Sequence, residues 1–126
     1  MSNYIIGILQ IALACGFIGF WIYFFLIENK QEKPEIYFAF ERSFPFADLG
    51  WITPILIIAA IGNLLDLYFA NTISLVASGS LIFLGILDFT FNVQHHNIKS
   101  RDDLIFSFAI NIVCLISGII FLIFAW

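Results

Sequence analysis

The chain has 126 residues, of which 62% are hydrophobic and only 11% charged, and its mean hydropathy is +1.03. A water-soluble domain is about 45–50% apolar and about 25% charged because it must present a wet surface, so this composition excludes an ordinary soluble fold and points to a surface that faces lipid. The formal charge of −4 comes from so few groups that their positions carry more information than their sum.

Crossing about 30 Å of hydrocarbon takes about 20 apolar residues at about 1.5 Å of rise each. Four segments qualify: residues 4–27, 49–70, 72–93 and 104–126. Runs of this length without barrel-type alternation have to be helices, since every backbone amide in the bilayer core needs a partner within its own segment. The expected fold is an all-α membrane protein, a four-transmembrane-helix bundle in one domain spanning residues 1–126.

In the first span Ala12-Leu13-Ala14-Cys15 has the look of a lipoprotein cleavage site. No Lys or Arg precedes it, however, and the apolar run continues past Cys15, which predicts a retained span. The loop that follows has a polar part, residues 28–35, and an aromatic part, residues 36–47, where Tyr37, Phe38, Phe40, Phe44 and Phe46 surround Glu41 and Arg42. Pro34 suits the first turn of a short helix and Pro45 its end, so a short interfacial helix is expected over about residues 35–43 of this first cytoplasmic loop. Asp48 then stands where an N-cap of the second span belongs. The second and third spans are separated by little more than Asn71, which predicts a tight antiparallel hairpin. The loop before the fourth span carries His95 and His96.

Each span concentrates small and polar residues at helical spacing. The stripes are Ala12, Cys15, Gly16 and Gly19 in the first span; Asp48, Ile52, Ile55, Ala59, Gly62 and Asp66, with Asn63 beside them, in the second; Ser74, Ser78, Leu81, Gly85, Asp88 and Asn92 in the third; and Ser107, Asn111, Cys114 and Gly118 in the fourth. Membrane helices associate through close approach at small residues and through shared hydrogen bonds, because lipid tails are as apolar as leucine. The four stripes are therefore expected to face inward, either within one chain or between the copies of a homo-oligomer. Both cysteines read as packing residues.

All five basic residues fall in two loops, Lys30, Lys33 and Arg42 in the first and Lys99 and Arg101 in the second. The positive-inside rule places loops 28–48 and 94–103 in the cytoplasm and both termini outside, in a multi-pass protein of the cytoplasmic membrane. Trp21, Tyr23 and Trp51 fit an inner interfacial belt, and Tyr4, Tyr68 and Trp126 an outer one.

The acids inside the spans are Asp66 and Asp88, each costing about 2.5–3.5 kcal/mol at a helix centre on insertion scales. Asp66 has Asn63 one turn away and Gln10 at similar depth, while Asp88 has Asn92 one turn on and Asn111 at comparable depth. These groups either bind a cation, a proton or a polar group, or hydrogen-bond between helices. Asp48 is either a cap or, with Asp88, Asn92, Glu41 and the histidine pair, part of a cytoplasmic-side cluster. The candidate ligand-binding set is thus Glu41, Asp48, Asn63, Asp66, Asp88 and Asn92. No catalytic residue, no metal site and no cofactor is expected: H-x-x-x-H and H-E-x-x-H spacings, a phosphate-cradling glycine loop, a nucleophile elbow and a basic nucleic-acid surface are all missing from the sequence.

The segment Glu41-Arg42-Ser43-Phe44-Pro45-Phe46-Ala47-Asp48-Leu49-Gly50-Trp51 resembles a signature of small prokaryotic four-transmembrane-helix integral membrane proteins of unknown function. The resemblance covers the loop and the start of the second span, and it implies architecture without an activity. The leading expectation is a non-enzymatic membrane protein whose partners are the bilayer and a lipid head, an ion or a small polar ligand. The rivals are a lipid-acting isomerase or hydrolase using Glu41, Asp48 or Asp88, and a structural subunit of a membrane complex.

Overall fold

The computed structural model describes residues 3–27, 35, 36, 39, 42–98 and 100–126, with residue 98 by its backbone alone. Four helices long and apolar enough to cross a membrane account for most of it: α1 (Asn3–Leu26), α2 (Pro45–Leu64), α3 (Ala70–Gln94) and α4 (Arg101–Ala125). A 3-10 turn, His96–Ile98, leads from α3 towards α4, and no strand occurs among the described residues. The all-α, four-helix membrane class is the one expected. At 20 to 25 residues each, the helices reach about 30–38 Å, enough for the hydrocarbon core.

Helix boundaries differ from those drawn by hydropathy, each for a local reason. α4 begins at Arg101 instead of residue 104 because Ser100 has an extended backbone and its side chain accepts the Asp103 N–H at 3.2 Å, while Asp102 and Asp103 sit at the positive end of the helix dipole. Pro45 does not stop a preceding helix; it opens α2, where its missing N–H costs nothing. Of the interfacial helix expected before it, Glu35, Ile36 and Ala39 have helical backbone and the Ser43 hydroxyl donates to the Ala39 carbonyl at 2.8 Å. Tyr37, Phe38, Phe40 and Glu41 lie outside the described residues.

The second span was expected to run to residue 70 and turn at Asn71. Instead α2 ends at Leu64, the connection is residues 65–69, and Asn71 is already helical. Asp66 explains the early stop. It has φ of +55°, and the Leu67 N–H bonds the Gly62 carbonyl at 2.8 Å, six residues closing onto one. This is a Schellman termination with Asp66 at the left-handed position that glycine usually takes.

The chain divides into two compact units, Met1–Ile73 and Ser74–Trp126. In the first, α1 and α2 run antiparallel: Gly7 near the start of α1 meets the end of α2, where a Cβ on Gly7 would lie 2.8 Å from Leu64 Cγ and 3.2 Å from the Ala60 carbonyl. The buried face of α1 is Ile6, Gly7, Gln10, Ala14, Phe17, Trp21 and Phe24. The expected stripe of Ala12, Cys15, Gly16 and Gly19 is exposed, and no atom lies within 4 Å of a Cβ built on Gly16 or Gly19. The polar side chains Gln10 and Trp21 decide the orientation, because both have buried partners on α2 and only one face of α1 can deliver them. The α2 stripe is buried at Asp48, Ile52, Ala59, Gly62 and Asn63, half-buried at Ile55 and exposed at Asp66.

In the second unit α3 and α4 are also antiparallel and make close contacts at glycine. A Cβ on Gly85 would meet Leu115 Cγ at 2.7 Å, and one on Gly118 would meet Ile82 Cγ1 at 2.7 Å and the Ser78 carbonyl at 3.1 Å. The Ser78 hydroxyl donates to the Gly118 carbonyl at 2.6 Å, and Phe89 and Phe108 pack edge to face at 5.4 Å. The α3 and α4 stripes read from the sequence are the buried faces, with Asp88 and Ser107 half-buried, and Ile and Phe side chains such as Phe83, Ile86, Ile116 and Ile123 on the outside.

Candidate functional site: polar clusters inside the helix pairs

In the first unit, the last turns of α1 and the first turns of α2 bring Trp21 and Asp48 together. The indole Nε1 donates to Asp48 Oδ2 at 2.8 Å, with Trp21 only 2% and Asp48 only 5% exposed. Asp48 is therefore not an N-cap. Phe44 occupies that position without a side-chain bond, and Asp48 is helical, its own N–H bonded to the Phe44 carbonyl at 2.8 Å. Trp21, expected in an interfacial belt, is buried within the unit and packs edge-on against Phe20 and Phe24 with centroids 5.0 and 5.1 Å away. Tyr23 and Trp51 are exposed. A wholly apolar groove of about 300 Å³, lined by Ile18, Trp21, Ile22, Phe25, Leu26 and Leu49, runs along this end of the unit.

Asp48 opens a π-helical turn, Asp48–Ile52, closed by the Thr53 N–H on the Asp48 carbonyl. The cause is Pro54, which follows it. Its ring would collide with the carbonyl four residues back and it has no N–H to give, so the helix widens by one residue to pass it. Thr53 is carried into the interior, 5% exposed.

At the other end of the first unit, Asn63 Nδ2 donates to Gln10 Oε1 at 2.9 Å in a buried pair. Asp66 does not join them. It lies in the exposed connection and accepts from Asn3 Nδ2 at 3.2 Å, so it is a helix-terminating residue rather than an acid inside a span.

In the second unit Asp88, Asn92 and Asn111 converge as their depths suggested. With the Asn111 amide turned so that donors face acceptors, its Nδ2 donates to Asp88 Oδ2, while its Oδ1 accepts from Asn92 Nδ2 at 2.9 Å and from the Phe89 N–H at 3.3 Å. Asn92 and Asn111 are fully buried. Beyond them the ring of His95 stacks on Phe91 at 4.6 Å, and His96 Nδ1 lies 3.1 Å from the Val93 carbonyl. Both histidines are thus engaged with the end of α3. Glu41 lies outside the described residues, and among the described residues no three His, Cys, Asp or Glu side chains gather around one point.

Sequence reasoning missed the Trp21–Asp48 bond, Thr53 and the π-helical turn. Two signals were present. Gln10, Ala14, Phe17 and Trp21 follow the three-and-four spacing of one helix face, and Pro54 stands six residues after Asp48 inside an apolar run. Compared with known proteins, the chain matches no family model, no curated protein and no solved structure.

Proposed function

We propose that this multi-pass membrane protein is a non-enzymatic binding protein of the cytoplasmic membrane. Both termini lie outside, loops 28–48 and 94–103 lie inside, and the Asp88, Asn92 and Asn111 cluster takes up a positively charged or N–H-donating group, an ammonium lipid head or a free cation. The observation that carries this reading is the convergence of two buried amide side chains, one from each of two helices, beside one half-buried carboxylate. Asp88 lies six residues before the end of α3, about 9 Å inside it, where a carboxylate is costly without a reason. Joining α3 to α4 is not a sufficient reason, since Gly85, Gly118 and the Ser78 bond already do so. Two amides beside a carboxylate present acceptor oxygens as well as donors, a donor set suited to a small cationic group.

The test is Asp88→Asn, which keeps an acceptor for Asn111 and removes the charge. Binding is followed by native mass spectrometry and thermal shift, with phosphatidylethanolamine against phosphatidylglycerol in nanodiscs and with potassium against a bulky organic cation in detergent. The reading expects ligand-dependent stabilisation of the wild type that Asp88→Asn loses, the two arms telling lipid from free ion. Identical ligand responses in both proteins would instead make the cluster interhelical glue, in keeping with a structural subunit.

A further inference from the structure

We propose that the π-helical turn Asp48–Ile52 is one of two states of a helix hinge. The other state is an α-helical turn kinked at Pro54, which releases Asp48 from Trp21 and opens the end of the first unit where α1 finishes and α2 starts. This hinge does not depend on the reading of Asp88. Its mark is Thr53. A hydroxyl on a helix normally satisfies itself on the carbonyl four residues back, and here Ser43 does so with Ala39 at 2.8 Å, Ser80 with Val76 at 3.0 Å and Thr90 with Ile86 at 2.8 Å. Thr53 does not: its side chain is 5% exposed and its Oγ1 is buried with no hydrogen-bond partner among the described residues. The turn supplies the reason. The Thr53 N–H closes on the carbonyl five residues back, at Asp48, so Thr53 is out of step with the four-residue spacing that its hydroxyl needs.

An α-helical turn brings the Leu49 carbonyl back to that hydroxyl and satisfies a buried group whose isolation is costly. Pro54 opposes it, because its ring then meets the Gly50 carbonyl. Gly50 is the residue type best able to tilt that carbonyl aside, and close packing does not account for a glycine there: a Cβ on it would touch only Phe46 Cδ1, at 4.0 Å, among the described residues. Each turn therefore has one defect, an unmatched hydroxyl in the first and a bent proline turn in the second, and opposed defects keep two packings of one segment close in free energy. Conversion takes one residue out of the wide turn and rotates the start of α2 by about 100° about the helix axis relative to residues 53–64. That carries Asp48 off the side that meets Trp21, and Leu49 out of the apolar groove that it lines with Trp21. Helix register changes of this kind take microseconds to milliseconds.

Trp21 reports the two states through its indole N–H. The full chain is made with fluorotryptophan and studied by fluorine NMR in nanodiscs, the Trp21 signal being assigned by its loss in Trp21→Phe and the position of a released indole marked by Asp48→Leu. In the wild type the signal is expected to exchange between bonded and released positions. Pro54→Ala removes the ring and gives the Gly50 carbonyl an N–H, so it should raise the released share; Thr53→Val, which has the shape of threonine without the oxygen, should lower it, both by about two- to tenfold, the worth of one hydrogen bond. Thr53→Ser should leave the share as in wild type. Opposite shifts at adjacent residues mark a hinge, whereas a rigid turn would be loosened by either change. The serine and valine pair decides the matter even if Pro54→Ala does not fold. A wild-type signal without exchange, shifts in the same direction in Pro54→Ala and Thr53→Val, or equal shares in Thr53→Ser and Thr53→Val would overturn the proposal.

Discussion

The bond between Trp21 and Asp48 joins α1 to α2 at one end of the first unit, and removing it has a calculable effect. At 2.8 Å between side chains 2% and 5% exposed, it belongs with hydrogen bonds to charged groups, worth about 1.5–3 kcal/mol in water-soluble proteins. Polar pairs between membrane helices average about 0.6 kcal/mol and reach about 1.7 kcal/mol, because helices separated within the bilayer also find partners. The degree of burial places this pair at the upper end, at about 1–2 kcal/mol. Trp21→Phe alone overstates it, since the smaller ring also leaves a cavity worth about 1–2 kcal/mol. A double-mutant cycle removes that term. Trp21→Phe, Asp48→Leu and the double variant are unfolded by SDS in mixed micelles and followed by helical circular dichroism. The double variant is expected to lose about 1–2 kcal/mol less than the sum of the singles, because either single variant already breaks the one bond that the two side chains share. Additivity within about 0.3–0.5 kcal/mol would refute the pairing.

Three further outcomes follow from local geometry. Gly118→Ala should destabilise by about 1–3 kcal/mol because its Cβ meets the Ser78 carbonyl and the Ile82 backbone nitrogen, whereas Gly16→Ala, with open space around it, should be neutral or stabilising by up to about 1 kcal/mol; the same micellar unfolding assay ranks the two, and equal effects would contradict the assigned faces. At the left-handed Asp66, glycine should be tolerated, while Asp66→Val should cost about 1–2 kcal/mol, read as a lower melting temperature. Ser100→Ala should cost about 1 kcal/mol through loss of the α4 cap, visible as faster amide exchange at Asp103, whose N–H the serine accepts.

Much of the architecture was legible because hydrocarbon imposes length and composition directly, and the α3 and α4 stripes could be read because serine, glycine, asparagine and cysteine stand out against Ile and Phe. The α1 face was misread for the same reason. Small residues read as the packing surface, yet Ala12, Cys15, Gly16 and Gly19 are exposed and the buried face carries Phe17, Trp21 and Phe24. Size alone does not orient a membrane helix when a polar side chain on another face has a partner to reach. Helix ends were missed where a single residue rules: Asp66 with its positive φ, Ser100 with its cap, and Pro45 opening the helix it was expected to precede. The Asp88 cluster was legible from depth alone. The Asp48 bond was not: the stripe puts Asp48 on the buried face, but Trp21 reads as an interfacial residue and Asp48 as a cap, and nothing in hydropathy pairs the two.

The topology rests on the placement of the basic loops on one side of a bilayer, and site-directed labelling tests it most directly. In a Cys15→Ser, Cys114→Ser background, single cysteines at positions 30, 71, 99 and 126 are exposed in intact cells to a membrane-impermeant maleimide. Positions 71 and 126 should label and positions 30 and 99 only after lysis; labelling of 30 and 99 from opposite sides would contradict four membrane crossings.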